Sequence, residues 1–115
     1  MTWSSSGGAE PLAEDTFLEV LSARSRRTNL DRVEKLTQVL AGCRGRGQLQ
    51  RDDVDRLAEL AHQVVGSAGS FGFAGVSELG RDFEEVLARS AEPTGRVLDE
   101  LDRLAAAMLV DLQAA

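Results

Sequence analysis

The 115-residue chain carries little with which to do chemistry: one histidine, one cysteine, one tryptophan and no tyrosine. A lone Cys43 excludes an intrachain disulfide and makes a reducing compartment the simpler setting. His62 and Cys43 fall short of the ligand set that a zinc or iron site requires, so no metal site is assigned. No run approaches the roughly 18 apolar residues that would cross a membrane. The first ten residues also lack the basic start and apolar stretch of a secretion signal, and a cytoplasmic protein without membrane contact is expected. Basic charge is also short. The formal charge is −6, from 19 acidic and 13 basic side chains, and the cluster Arg24, Arg26 and Arg27 does not offset a field that repels nucleic acid. The glycine-rich stretch from Gly42 to Gly47 has no lysine followed by serine or threonine, so it is not a nucleotide-binding loop.

What is present is helical periodicity. Residues 1–10, rich in serine and glycine, read as a flexible N-terminal tail, and 11–115 as a single helical bundle domain. Pro11 suits a first helical turn, and Phe17, Val20 and Leu21 follow on one face before an expected fraying over Ser25 to Thr28. Thr28 or Asn29 then caps a second helix carrying Leu30, Val33, Leu36, Val39 and Leu40, which ends at Gly42, Gly45 and Gly47. The spacing predicts a third helix over about Gln50 to Gly69 and a fourth over about Phe73 to Arg89, packed as an antiparallel hairpin. A fifth starts near Pro93 or Thr94 and buries Val97, Leu101, Leu104, Met108 and Leu112. The fold class that follows is all-α: an antiparallel four-helix bundle with an additional N-terminal helix. A coiled-coil dimer fits less well because glycine-rich breaks interrupt the heptads, and a monomer is expected.

On a helical wheel, Leu60, Ala61, Val64, Ala68 and Phe71 lie within roughly 60 degrees of Leu57, which sets the core direction of the third helix. His62 lies about 140 degrees away and should face solvent. Asp55, Ala58, Glu59, Gly66 and Gly69 share its face. Each glycine costs a helix interior up to about 1 kcal/mol against alanine, which access to the imidazole would explain. The competing account is an ordinary surface histidine, with glycines that serve close helix packing.

The run Ala61, His62, Gly66, Ser67, Ala68, Gly69, Ser70, Phe71, Gly72, with Leu79, Phe83 and Glu84 in the next helix, resembles the histidine-containing phosphotransfer (HPt) domains of bacterial two-component relays. The resemblance implies that His62 accepts a phosphoryl group from a receiver-domain aspartyl phosphate and passes it to another receiver aspartate. It also maps Gly66 onto the small residue that clears room for the partner. Ala58, Val65, Gly66 and Gly69 form the expected docking surface. Many such domains carry lysine where this chain has Val65, so Arg81 is the candidate for neutralising phosphate, and Asp55 and Glu59 are candidates for tuning the imidazole. No intrinsic cofactor and no autonomous kinase activity are implied, and Mg2+ is expected in the partner's acidic site. Expected partners are response-regulator receiver domains, with a hybrid histidine kinase as a further candidate. The alternative reading is a helical interaction domain that binds such a partner without relaying phosphate.

Overall fold

The computed structural model describes residues 4–89 and 94–114, with side chains from residue 16 onward. Four helices follow one another: α1 Ser4–Arg46, α2 Arg51–Ser70, α3 Ala74–Ala88 and α4 Thr94–Ala114. They form an all-α four-helix bundle in which each helix packs against its sequence neighbours and α1 closes on α4.

Cross-helix contacts fix the antiparallel register. Ser25 meets Ser67 and Arg32 reaches the Gln63 carbonyl, so α1 and α2 run in opposite directions. Arg44 at the end of α1 pairs with Asp99 and Asp102 near the start of α4. Arg89, just past α3, meets Glu100 of α4 at 3.2 Å. Within this frame Leu36, Leu40, Leu57, Leu60, Val64, Phe83, Leu101, Met108 and Leu112 are all buried. Each comes from one stripe of its helix, so none of the four can bury its apolar face alone.

Both turns that flank α2 depend on a backbone geometry that favours glycine. Gly47, at φ +69°, lets Gln48 N–H reach the Cys43 carbonyl and Gly47 N–H reach that of Arg44, closing α1. Gly72, at φ +88°, similarly lets Phe73 N–H reach the Ala68 carbonyl. The chain then reverses into α3 within three residues, as the predicted hairpin requires.

The first two expected helices are one. No break occurs over Ser25 to Thr28, and α1 runs unbroken for 43 residues. Asn29 is not a cap: it is fully buried, and its amide donates to the hydroxyls of Ser25 and Ser67 at 3.3 Å each. Tertiary partners on α2 satisfy the polar side chains that would otherwise compete with the helical backbone. The additional N-terminal helix is therefore an extension of α1. Because residues from about Ser22 onward match α2, the preceding part runs past the end of the bundle, and the molecule measures 70 × 22 × 20 Å. The helix begins at Ser4, inside the stretch read as a tail, while Pro93 lies outside the described residues. Phe71 was placed with the core stripe but is 37% exposed, because α2 ends at Ser70 and the chain turns away.

Candidate phosphotransfer site

Leu57, Leu60, Ala61, Val64 and Ala68 hold α2 against the bundle, and this anchoring leaves His62 on the outside. Its side chain is 81% exposed. Nδ1 lies 3.5 Å from Oε2 of Glu84, a half-buried carboxylate on α3. The charge on Glu84 favours a proton on Nδ1, which leaves Nε2 as the nitrogen with a free lone pair. The ring is thus held on a well-packed helix with most of its surface open to solvent.

Space around the ring differs between the two glycines. A Cβ at Gly66 would meet nothing within 4 Å, so the surface one turn beyond His62 is clear. A Cβ at Gly69 would come 3.3 Å from Ser77 Oγ, so this glycine also serves the approach of α3, where Ser77 Oγ donates to the Val65 carbonyl at 3.0 Å. The space at Gly66 is therefore open, whereas Gly69 lies close against α3.

Val65 does not stand free on the docking face. It is half-buried, and a Cβ at Gly80 would fall 2.7 Å from its Cγ2. Ala58 is likewise half-buried on the same helix. Asp55 and Glu59 are exposed, and neither pairs with the ring among the described residues; the carboxylate that does so is Glu84, on the neighbouring helix. Arg81 is exposed on α3, three residues before Glu84.

A polar cluster behind α2 escaped the sequence analysis. Arg32 donates to Asn29 Oδ1 at 3.0 Å and to the Gln63 carbonyl at 3.4 Å, while Ser25 and Ser67 share a hydrogen bond at 3.1 Å. These bonds lock the register of α1 against the helix that carries His62. The available signal was Ser67, a polar residue one position before the buried Ala68 in an otherwise apolar stripe.

The four-helix bundle thus holds an exposed histidine beside a carboxylate, with open surface next to it. Residues 20–114 match the Hpt domain, and the chain belongs to the Hpt domain family. Searches of curated proteins and of solved structures each return no match. Membership gives the chain a histidine phosphotransfer role in phosphorelays, and domains of this family interact with receiver and kinase domains. Among the described residues no helix is long and apolar enough to cross a membrane.

Proposed function

We propose that His62 is the phosphorylated residue, taking a phosphoryl group from a receiver aspartate and returning it to another. The observation that carries this reading is the pairing of an exposed imidazole with Glu84 at Nδ1 beside the open surface at Gly66. In the transfer, Nε2 attacks phosphorus, the N–P bond forms, and the bond to the aspartyl oxygen breaks so that the carboxylate leaves. The ring gains positive charge as it bonds to phosphorus. Glu84 faces the Nδ1–H that bears part of this charge and stabilises it electrostatically. In-line positioning by the docked partner supplies much of the remaining catalysis.

By the family resemblance, Mg2+ in this reading belongs to the acidic site of the receiver. The partners in this reading are receiver domains of response regulators and a hybrid histidine kinase, met in the bacterial cytoplasm. The test is to incubate the chain with a receiver charged by acetyl phosphate and to follow acid-labile label on wild type and on His62→Gln. Label on wild type alone supports the assignment, and label that persists in His62→Gln overturns it.

One observation favours a second reading, a docking domain that does not relay phosphate. By the resemblance many such domains carry lysine where this chain has Val65, which is packed over Gly80, so this position brings no cation to the phosphoryl oxygens. Stable binding of a receiver by wild type, with no label transferred from it, would select this alternative.

A further inference from the structure

The face that carries His62 is short of cations for the group it would receive. A phosphoryl group is an anion, and the Glu84 carboxylate already stands 3.5 Å from the ring. Asp55 and Glu59 are exposed on the same stripe of α2, roughly 10 and 5 Å from His62 along the axis at a rise of about 1.5 Å per residue. Val65, packed against the glycine at position 80, brings no charge.

The bases nearby lie elsewhere. Arg51 shares the stripe but is about three turns from His62. Arg56, seven residues before Gln63, falls with it on the α1 flank of α2, where Arg32 donates to the Gln63 carbonyl. Arg81 sits past the ring toward Val65, because α3 runs antiparallel to α2 and Glu84 is level with His62. The face is therefore polarised. Carboxylates occupy the side toward the start of α2, whereas from Gln63 to Ser77 the sequence carries no charged side chain at all.

An anionic donor brought against Asp55, Glu59 and Glu84 is repelled unless cations lie between them, and partial desolvation in an interface strengthens the repulsion. This chain does not place such cations beside the carboxylates, so the partner must. We propose that His62 is served by a receiver whose surface beside its phosphorylated aspartate is basic. Its lysine or arginine side chains lie against Asp55 and Glu59, and an uncharged part of its surface lies against Gly66 and Gly69. The proposal rests on His62 as the phosphorylated residue and adds the chemistry of the partner that fits it. Charges at the rim of an interface act on the association rate and reject partners of like sign, so Asp55 and Glu59 are specificity residues.

The test is labelling by a receiver charged with acetyl phosphate, read as the receiver concentration that half-saturates the rate. Glu59→Lys raises this concentration about fivefold, and Asp55→Lys with Glu59→Lys raises it more than about tenfold. Glu34→Lys makes the same change in net charge as Glu59→Lys on the side of α1 turned away from α2, about 200° round from Arg32, and shifts it less than about twofold. Salt raised from about 0.05 to about 0.5 M weakens association of wild type strongly and of the double variant little. All three positions are exposed and lysine suits a helix, so circular dichroism should be unchanged. Equal shifts in Glu59→Lys and Glu34→Lys, or tighter association in Glu59→Lys, overturn the proposal while label on wild type leaves the phosphotransfer reading intact. Wild type that takes no label from any receiver overturns both.

Discussion

Val65 and Gly80 meet where α2 and α3 approach closely: a Cβ on residue 80 would stand 2.7 Å from Val65 Cγ2 and 3.7 Å from the Ala61 carbonyl. A mid-helix glycine normally costs stability, yet here it admits the valine that helps hold the His62 helix in place. Gly80→Ala should therefore destabilise the bundle by about 1 to 2 kcal/mol, with overpacking outweighing the gain in helix propensity. The denaturation midpoint of the single variant reports this. Adding Val65→Ala should recover part of the loss, and a double-mutant cycle with no coupling would contradict the contact.

Replacing Val65 by lysine separates the two duties of this position. The substitution removes apolar contact with Gly80 but brings an ammonium to the phosphoryl oxygens. We expect Val65→Lys to lower stability by about 1 kcal/mol. Phosphoryl transfer from a charged receiver should meanwhile speed up, read from the rate of label appearing on His62. An unchanged rate would show that a charge here does not reach the transferred group.

Glu84 is argued to act through His62. Glu84→Ala removes the carboxylate facing Nδ1, and transfer should slow about tenfold, equivalent to ~1.4 kcal/mol in the barrier. Receiver binding should be unaffected, so the loss falls on the transfer step at saturating receiver. The tautomer is checked by nitrogen NMR of the ring, where the Nδ1–H form should fall in the variant. Equal loss of receiver affinity and rate would assign Glu84 to docking.

Acid should weaken the joint between α1 and α2 through Asp53. Partial burial pushes its carboxyl up, but the Gln50 N–H at 3.0 Å and the Arg46 guanidinium at 2.7 Å outweigh burial and hold it below the usual carboxylate range. A carboxyl whose folded value is depressed contributes stability that is present above its unfolded value and lost as pH falls through the folded one. Wild type should thus exceed Asp53→Asn in stability by about 1 kcal/mol at neutral pH, the scale of a helix cap. The gap should close as pH drops below about 4, the ordinary carboxylate range. Thermal melts of both proteins across that range decide the matter.

The pattern of burial explains which features were legible in sequence. α2, α3 and α4 each carry a regular apolar stripe bounded by glycine or a polar cap, and their ends fall close to the predicted positions. The same stripe placed His62 outward. The break predicted near Ser25 failed because Ser25 and Asn29 are local helix competitors only when no partner satisfies them. Ser67, 42 residues from Ser25, does so. Glu84 was missed as the ring's partner for a related reason. Helical spacing pointed to Asp55 and Glu59 on the same helix, whereas the contact is made across the α2–α3 hairpin, whose register a wheel cannot supply.

Gly66 offers the sharpest separation of stability from function. Its Cβ direction is open, with no atom within 4 Å, so nothing in the fold requires glycine there. Gly66→Ala should raise stability by about 0.5 to 1 kcal/mol through helix propensity and a less flexible unfolded chain. Gly66→Leu should keep most of that gain, since its side chain points into solvent. If the cleared surface exists for a docking partner, the two variants must diverge in function: alanine mildly impairs transfer to His62, while leucine blocks the close approach and cuts the rate strongly. The measurements are a denaturation midpoint and a transfer time course on each protein. A leucine variant that is both more stable and equally fast would show that the open strip beside His62 plays no part in docking.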